Sequence, residues 1–129
     1  MKAKILVVED EQALSDAYEM ILSGQGYDVT VAHDGSEALE ITKKLEPELI
    51  LLDLRMPKVN GLEFLEIYKP AELHPLVKVI VFSNLDTQKE IDQAYALGAQ
   101  RYILKAWASP KELIQLVSDT LQSKQKKPA

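Results

Sequence analysis

The chain has 129 residues, is 47% hydrophobic and 27% charged, and carries a formal net charge of −5. That suits one ordinary globular domain, and it leaves no room for a spanning helix or signal peptide: no apolar run approaches about 18 residues, and Glu9, Asp10, Glu11 and Asp16 interrupt the N-terminal stretch. The absence of cysteine excludes disulfides, thiol catalysis and cysteine-ligated zinc, the negative balance argues against direct nucleic-acid binding, and a cytoplasmic location is expected.

Strand and helix patterns alternate five times, the signature of a βα repeat and of an α/β fold with a buried parallel sheet. Ile5 to Val8 is the first strand. Leu14, Tyr18, Ile21 and Leu22 form a helical stripe that stops near Gly24 and Gly26. Val29 to Ala32 is a short strand, and Asp34-Gly35-Ser36-Glu37 predicts a capped helix start followed by Ala38, Leu39, Ile41 and Leu45, ending at Pro47. Leu49 to Leu54 is the third strand. After Pro57 and a turn at Asn60-Gly61 comes the stripe Leu62, Leu65, Tyr68, and Lys69 to Pro75 is predicted as a loop. Val77 to Phe82 is the fourth strand, and Ile91, Ala94 and Tyr95 mark a helix closed by Gly98. Tyr102 to Leu104 is the fifth strand. Ser109-Pro110-Lys111-Glu112 opens the last helix, with stripe Leu113, Leu116, Val117 and Leu121. The domain is expected to span 1–123, with 124–129 a basic tail.

Parallel strands bring their C-terminal ends to one edge, where ligands bind in open α/β sheets. Those ends are Glu9-Asp10, His33-Asp34, Asp53, Ser83-Asn84 and Lys105. Acids converging there repel one another unless a cation sits between them. Oxygen ligands suit a hard divalent ion, Asp53 is a nucleophile candidate, and Ser83 and Lys105 are suited to hold the oxygens of a transferring phosphoryl group. His33 and His74 lack partner acids at metal-ligand spacing and are expected to face solvent. Trp107 is expected to pack under the last loop.

The chain resembles a receiver domain of the response-regulator family, the CheY-like phosphoacceptors of two-component signalling. The resemblance covers residues 3 to 122 and rests on Val7-Val8-Glu9-Asp10-Glu11, Leu51-Leu52-Asp53-Leu54-Arg55-Met56-Pro57 with Gly61, Val81-Phe82-Ser83, Gly98-Ala99 and Tyr102-Ile103-Leu104-Lys105. It implies a flavodoxin-like (βα)5 doubly wound sheet of strand order 2-1-3-4-5 in a three-layer sandwich. It implies that Asp53 accepts a phosphoryl group from a histidine kinase or histidine phosphotransfer protein. Asp10, Asp53 and the Arg55 backbone carbonyl would ligate Mg²⁺, with Glu9 acting through water. Lys105 and Ser83 would hold the phosphoryl oxygens, and Tyr102 would change rotamer. That change would reach a protein partner through the face of the fourth predicted helix, fifth strand and fifth predicted helix. A signalling module rather than an enzyme is implied, supporting only its own phosphorylation and dephosphorylation, without membrane or nucleic-acid contact, as a monomer or weak phosphorylation-dependent dimer.

Three departures from the family pattern carry expectations. Ala106 follows Lys105 where the family usually has proline, so a trans Lys105–Ala106 bond is predicted, because a cis bond before a non-proline costs about 2.5–4 kcal/mol. Glu9 stands where aspartate is commoner. Ile91, Leu97, Gln100 and Arg101 replace charged residues on the outer face and predict an apolar surface there. Arg55 and Leu85 would flank the phosphoryl group. A stand-alone module is the leading reading, and a receiver segment of a larger regulator or hybrid kinase the alternative. A flavodoxin-like cofactor binder lacks a phosphate-cradling loop after the first strand, where Glu9-Asp10-Glu11 would repel phosphate. A phosphohydrolase lacks an evident general acid.

Overall fold

The computed structural model describes residues 2–56, 58–84 and 87–122. The expectations for Leu85, for the Trp107 side chain and for the basic tail lie outside what is described. Five strands, β1 (Lys4–Val8), β2 (Asp28–Ala32), β3 (Leu49–Leu52), β4 (Lys78–Ser83) and β5 (Arg101–Leu104), form one sheet in the order β2-β1-β3-β4-β5. Every neighbouring pair is parallel. The connecting helices are α1 (Gln12–Ser23), α2 (Gly35–Lys44), α3 (Gly61–Tyr68), α4 (Pro70–Leu73), α5 (Gln88–Ala96) and α6 (Pro110–Gln122). This is the doubly wound fold the resemblance implies.

The central strands are apolar throughout because both of their faces are covered. Side chains alternate across the sheet. Leu6, Val8, Ile50, Leu52, Val79 and Val81 pack with Ala38, Phe64, Leu65 and Ala94 of α2, α3 and α5. Ile5, Val7, Leu49, Leu51, Ile80 and Phe82 pack with Leu22, Leu113 and Val117 of α1 and α6. Two apolar layers thus clamp the sheet, and its C-terminal edge is left for polar groups.

The predicted caps form. Asp34 Oδ1 accepts from the Glu37 amide at 2.8 Å, and Ser109 Oγ accepts from the Glu112 amide at 3.2 Å. Asn60 and Glu63 make a reciprocal capping box at the start of α3 rather than a free turn. Gly98, with φ +109°, follows α5 in a two-bond C-terminal closure: its amide donates to Tyr95 O, and the Ala99 amide to Ala94 O.

Four expectations need correction. β3 ends at Leu52, two residues early: the Asp53 amide makes the last ladder bond, to Val8 O, and Leu54 packs in the core beyond the strand. The segment expected to be a loop contains α4: Lys69 takes a left-handed turn (φ 51°), and Pro70, suited to a first helical turn, restarts the helix. His74 is only partly open to solvent, because one face of its ring lies on Tyr68, ring centroids 4.1 Å apart. On the outer face Leu97 is half-buried against the core, and the exposed large apolar side chain of α5 is Tyr95, 47% exposed.

Candidate phosphoacceptor and cation site

Strand register sets the site. Val8 of β1 pairs with Leu52 of β3, so the next residues, Glu9 and Asp53, emerge side by side. The ladder runs one step past each strand: the Asp53 amide donates to Val8 O and the Glu9 amide to Ala32 O, both at 3.0 Å. Glu9 is 2% and Asp53 7% exposed, whereas Asp10 faces solvent. One carboxylate oxygen from each of the three lies within 4.8 Å of the others. The result is an acidic pocket walled by strands on the inside and open beside Asp10.

Lys105 is the counter-charge. It enters from the end of β5 on a single 3₁₀ turn, Lys105–Trp107, and Nζ donates to Asp53 Oδ2 at 3.1 Å and to Glu9 Oε1. No cis peptide occurs among the described residues, so the Lys105–Ala106 bond is trans, as expected. Burial pushes the Glu9 carboxyl up to about 7, against the pull of the Lys105 ammonium, and the Asp53 charge adds to the rise. Burial works to lower the Lys105 ammonium, but the Glu9 hydrogen bond and the Asp53 charge outweigh it and raise it above its ordinary value.

Glu9 does more than the sequence suggested. Its Oε2 also accepts from the Glu11 amide at 3.2 Å, so it serves the start of α1 while facing Lys105. Glu11 sits at the N-cap position without a side-chain capping bond. The Arg55 amide faces the site: it donates to Asp53 Oδ1 at 3.3 Å. Ser83 is the last residue of β4, 1% exposed, on the same edge as Asp53. Tyr102 lies opposite Val81 on β5 and is half-buried against the layer of α2, α3 and α5. His33 stands apart from the acids, with Nδ1 3.6 Å from Glu37.

Two features escaped the sequence reading. Tyr18 had registered only as part of a helical stripe. Its ring packs edge-on to Phe82, and burial raises its hydroxyl to about 12, with Lys105, Glu9 and Asp53 near enough to contribute. Gly61 lies against the backbone of the nucleophile candidate: a Cβ there would come 2.4 Å from Asp53 O. The spacing of Tyr18 from Leu14 and Leu22 announces only a core position, while Gly61 was legible as a motif member but not as a contact.

The donor set fits a hard divalent ion. All three groups are oxygen ligands, two are buried, and the cluster already holds a cationic side chain. Among the described residues no helix is long and apolar enough to cross a membrane.

Known proteins are similar over nearly the whole chain. The DNA-binding response regulator MtrA of Mycolicibacterium smegmatis is 34% identical over 131 aligned positions, covering 100% of this chain and 55% of MtrA. The chain thus spans about half the length of the curated relatives it matches. A CheY-like response regulator receiver domain protein from Methanospirillum hungatei superimposes with a TM-score of 0.86 at 27% identity, covering 94% of each chain. The chemotaxis protein CheY4 of Vibrio cholerae has the same fold, with a TM-score of 0.85 at 24% identity over 93% of this chain and 99% of that one. The family described as the response regulator receiver domain matches residues 5–118. With the acidic pocket at the expected sheet edge, the chain belongs to that family and is a receiver domain of two-component signalling.

Proposed function

We propose that Asp53 is the phosphoacceptor. The observation that carries this is the placement of its carboxylate: buried at the strand end, with Oδ2 held by Lys105 and Oδ1 by the Arg55 amide. An oxygen of Asp53 attacks the phosphorus of a phosphohistidine on a kinase or phosphotransfer protein. The P–N bond breaks, the imidazole takes the leaving electron pair, and an acyl phosphate forms on Asp53. Lys105 moves its ammonium from the carboxylates to the new phosphoryl oxygens, and Ser83 donates to another. Asp10, Asp53 and the Arg55 carbonyl would hold Mg²⁺, with Glu9 assisting through water. That ion supplies charge neutralisation for the transferring group. Arg55, exposed at the mouth, flanks the phosphoryl group.

The same residues support return of the phosphoryl group to water, so the module times its own signal without turning over an external substrate. Tyr102 is the switch element in this proposal, carrying the change to a protein partner at the face of α5, β5 and α6. In the alternative reading, in which this receiver is part of a larger regulator or hybrid kinase, the partner at that face is another segment of the same protein.

The test is intact mass after incubation with Mg²⁺ and a small acyl phosphate. Wild-type protein is expected to gain one phosphoryl group, and Asp53→Asn or added chelator to prevent it. A wild-type protein that gains none, or an Asp53→Asn variant that gains one at the same rate, overturns the assignment.

A further inference from the structure

The loop that carries Arg55 is braced from outside the site. Its far end, Val59, reaches the first residue of α2: the Gly35 amide donates to Val59 O at 2.9 Å. The approach is closer than any other residue permits. A Cβ on Gly35 would lie 2.3 Å from Val59 O, 2.7 Å from Val59 Cγ1 and 3.0 Å from Val59 C. Two of those three atoms are backbone, so no side-chain rotation relieves the overlap. Just before Val59, Lys58 is held in the left-handed region (φ 63°), with Nζ 4.0 Å from Asp34 Oδ2. Asp34 is itself fixed as the cap of α2. Next to Val59, Asn60 caps α3, and the Gly61 amide donates back to Leu54 O at 3.0 Å. The Gly61–Leu54 bond thus closes the loop and the Gly35–Val59 bond ties it to α2.

We infer that Gly35 is a positioning residue for the cation site: its bare α-carbon lets α2 seat the 54–61 loop so that Arg55 meets Asp53. This rests on the proposed Mg²⁺ site. Gly35 touches neither the ion nor the reacting atoms and acts only through Val59. A methyl group there pushes Val59 off α2, and the loop carries that displacement toward Arg55, four residues away. Outer residues of this kind commonly change metal affinity about 10–100-fold when altered.

The experiment compares wild type with Gly35→Ala, and uses Gly24→Ala as control, since a Cβ on Gly24 meets only its own helix carbonyls at 3.3 and 3.4 Å. Mg²⁺ affinity is read from thermal shift, and the Mg²⁺ dependence of acyl-phosphate labelling is measured beside it. Gly35→Ala is expected to raise the half-saturating Mg²⁺ concentration by about tenfold, with the labelling rate at saturating Mg²⁺ restored to within about twofold. Gly24→Ala is expected to leave both unchanged. General loss of stability does not produce that split. A second measurement needs no variant: amide exchange at Gly35 in wild-type protein should slow when Mg²⁺ is added, because coupling between sites is reciprocal. Equal Mg²⁺ affinity in folded Gly35→Ala, or Gly35 exchange indifferent to Mg²⁺ that binds, overturns the positioning role alone. A wild-type protein that takes up no Mg²⁺ overturns the cation site and this inference with it.

Discussion

Glu9 concentrates the electrostatics of the site in one side chain. Its carboxyl is raised from the ordinary 4.5 to about 7, so between those values the folded chain keeps a proton that the unfolded chain has lost. The stabilising contribution is complete below 4.5 and disappears as pH rises through about 7. A divalent ion at the proposed site would reverse the preference by favouring the ionised carboxylate, so Mg²⁺ uptake near neutral pH is expected to expel a fraction of a proton, with affinity climbing as pH rises through about 7. Calorimetry in two buffers of different ionisation enthalpy measures that release. Heats independent of buffer at a pH slightly below 7 would contradict it. In Glu9→Gln the linkage should vanish. The identities of Glu9, Asp10, Asp53 and Lys105 were all legible from strand ends. The direct bond between Lys105 and Glu9 was not, because it joins residues 96 positions apart and depends on how far a flexible side chain reaches across the edge.

At the level of elements, local chemistry predicted the starts of helices better than their connections. The caps at Asp34 and Ser109 were written in the sequence because an acid or hydroxyl three residues before a glutamate satisfies amides that would otherwise lack partners. Asn60-Gly61 looked equally like a turn, and only the reciprocal bonds with Glu63 identify it as a capping box. Asn60→Ala should cost about 0.5–2 kcal/mol, read as a lower urea midpoint with unchanged slope. An unchanged midpoint would show that α3 is held by its buried face alone. The stretch after α3 misled because two prolines usually mean a loop. Here Pro70 opens α4 and is buried, and Tyr68 and His74 stack beneath the connection. Such stacking depends on where the chain returns in space, which no periodicity encodes.

For the molecule as a whole, the fold was almost entirely legible, since uninterrupted apolar strands separated by amphipathic helices admit few arrangements other than a covered parallel sheet. What stayed hidden was how the two layers differ. Phe64 is fully buried in the larger one, stacked on Tyr68 with centroids 5.1 Å apart. Truncation to alanine there should cost about 3–5 kcal/mol, measurable by denaturant unfolding, with loss of one cooperative transition rather than of one helix. A loss below about 1 kcal/mol would mean that the layer collapses around the gap. The Lys105 ammonium also has a consequence at this scale. Because the acids of the pocket already have a tethered positive charge among them, the chain carries its own counter-ion. The pocket therefore does not need a divalent ion to offset Glu9 and Asp53, although any ion bound to the folded chain adds stability of its own. Folding can be complete before any ion arrives, because one lysine already holds two of the three acids.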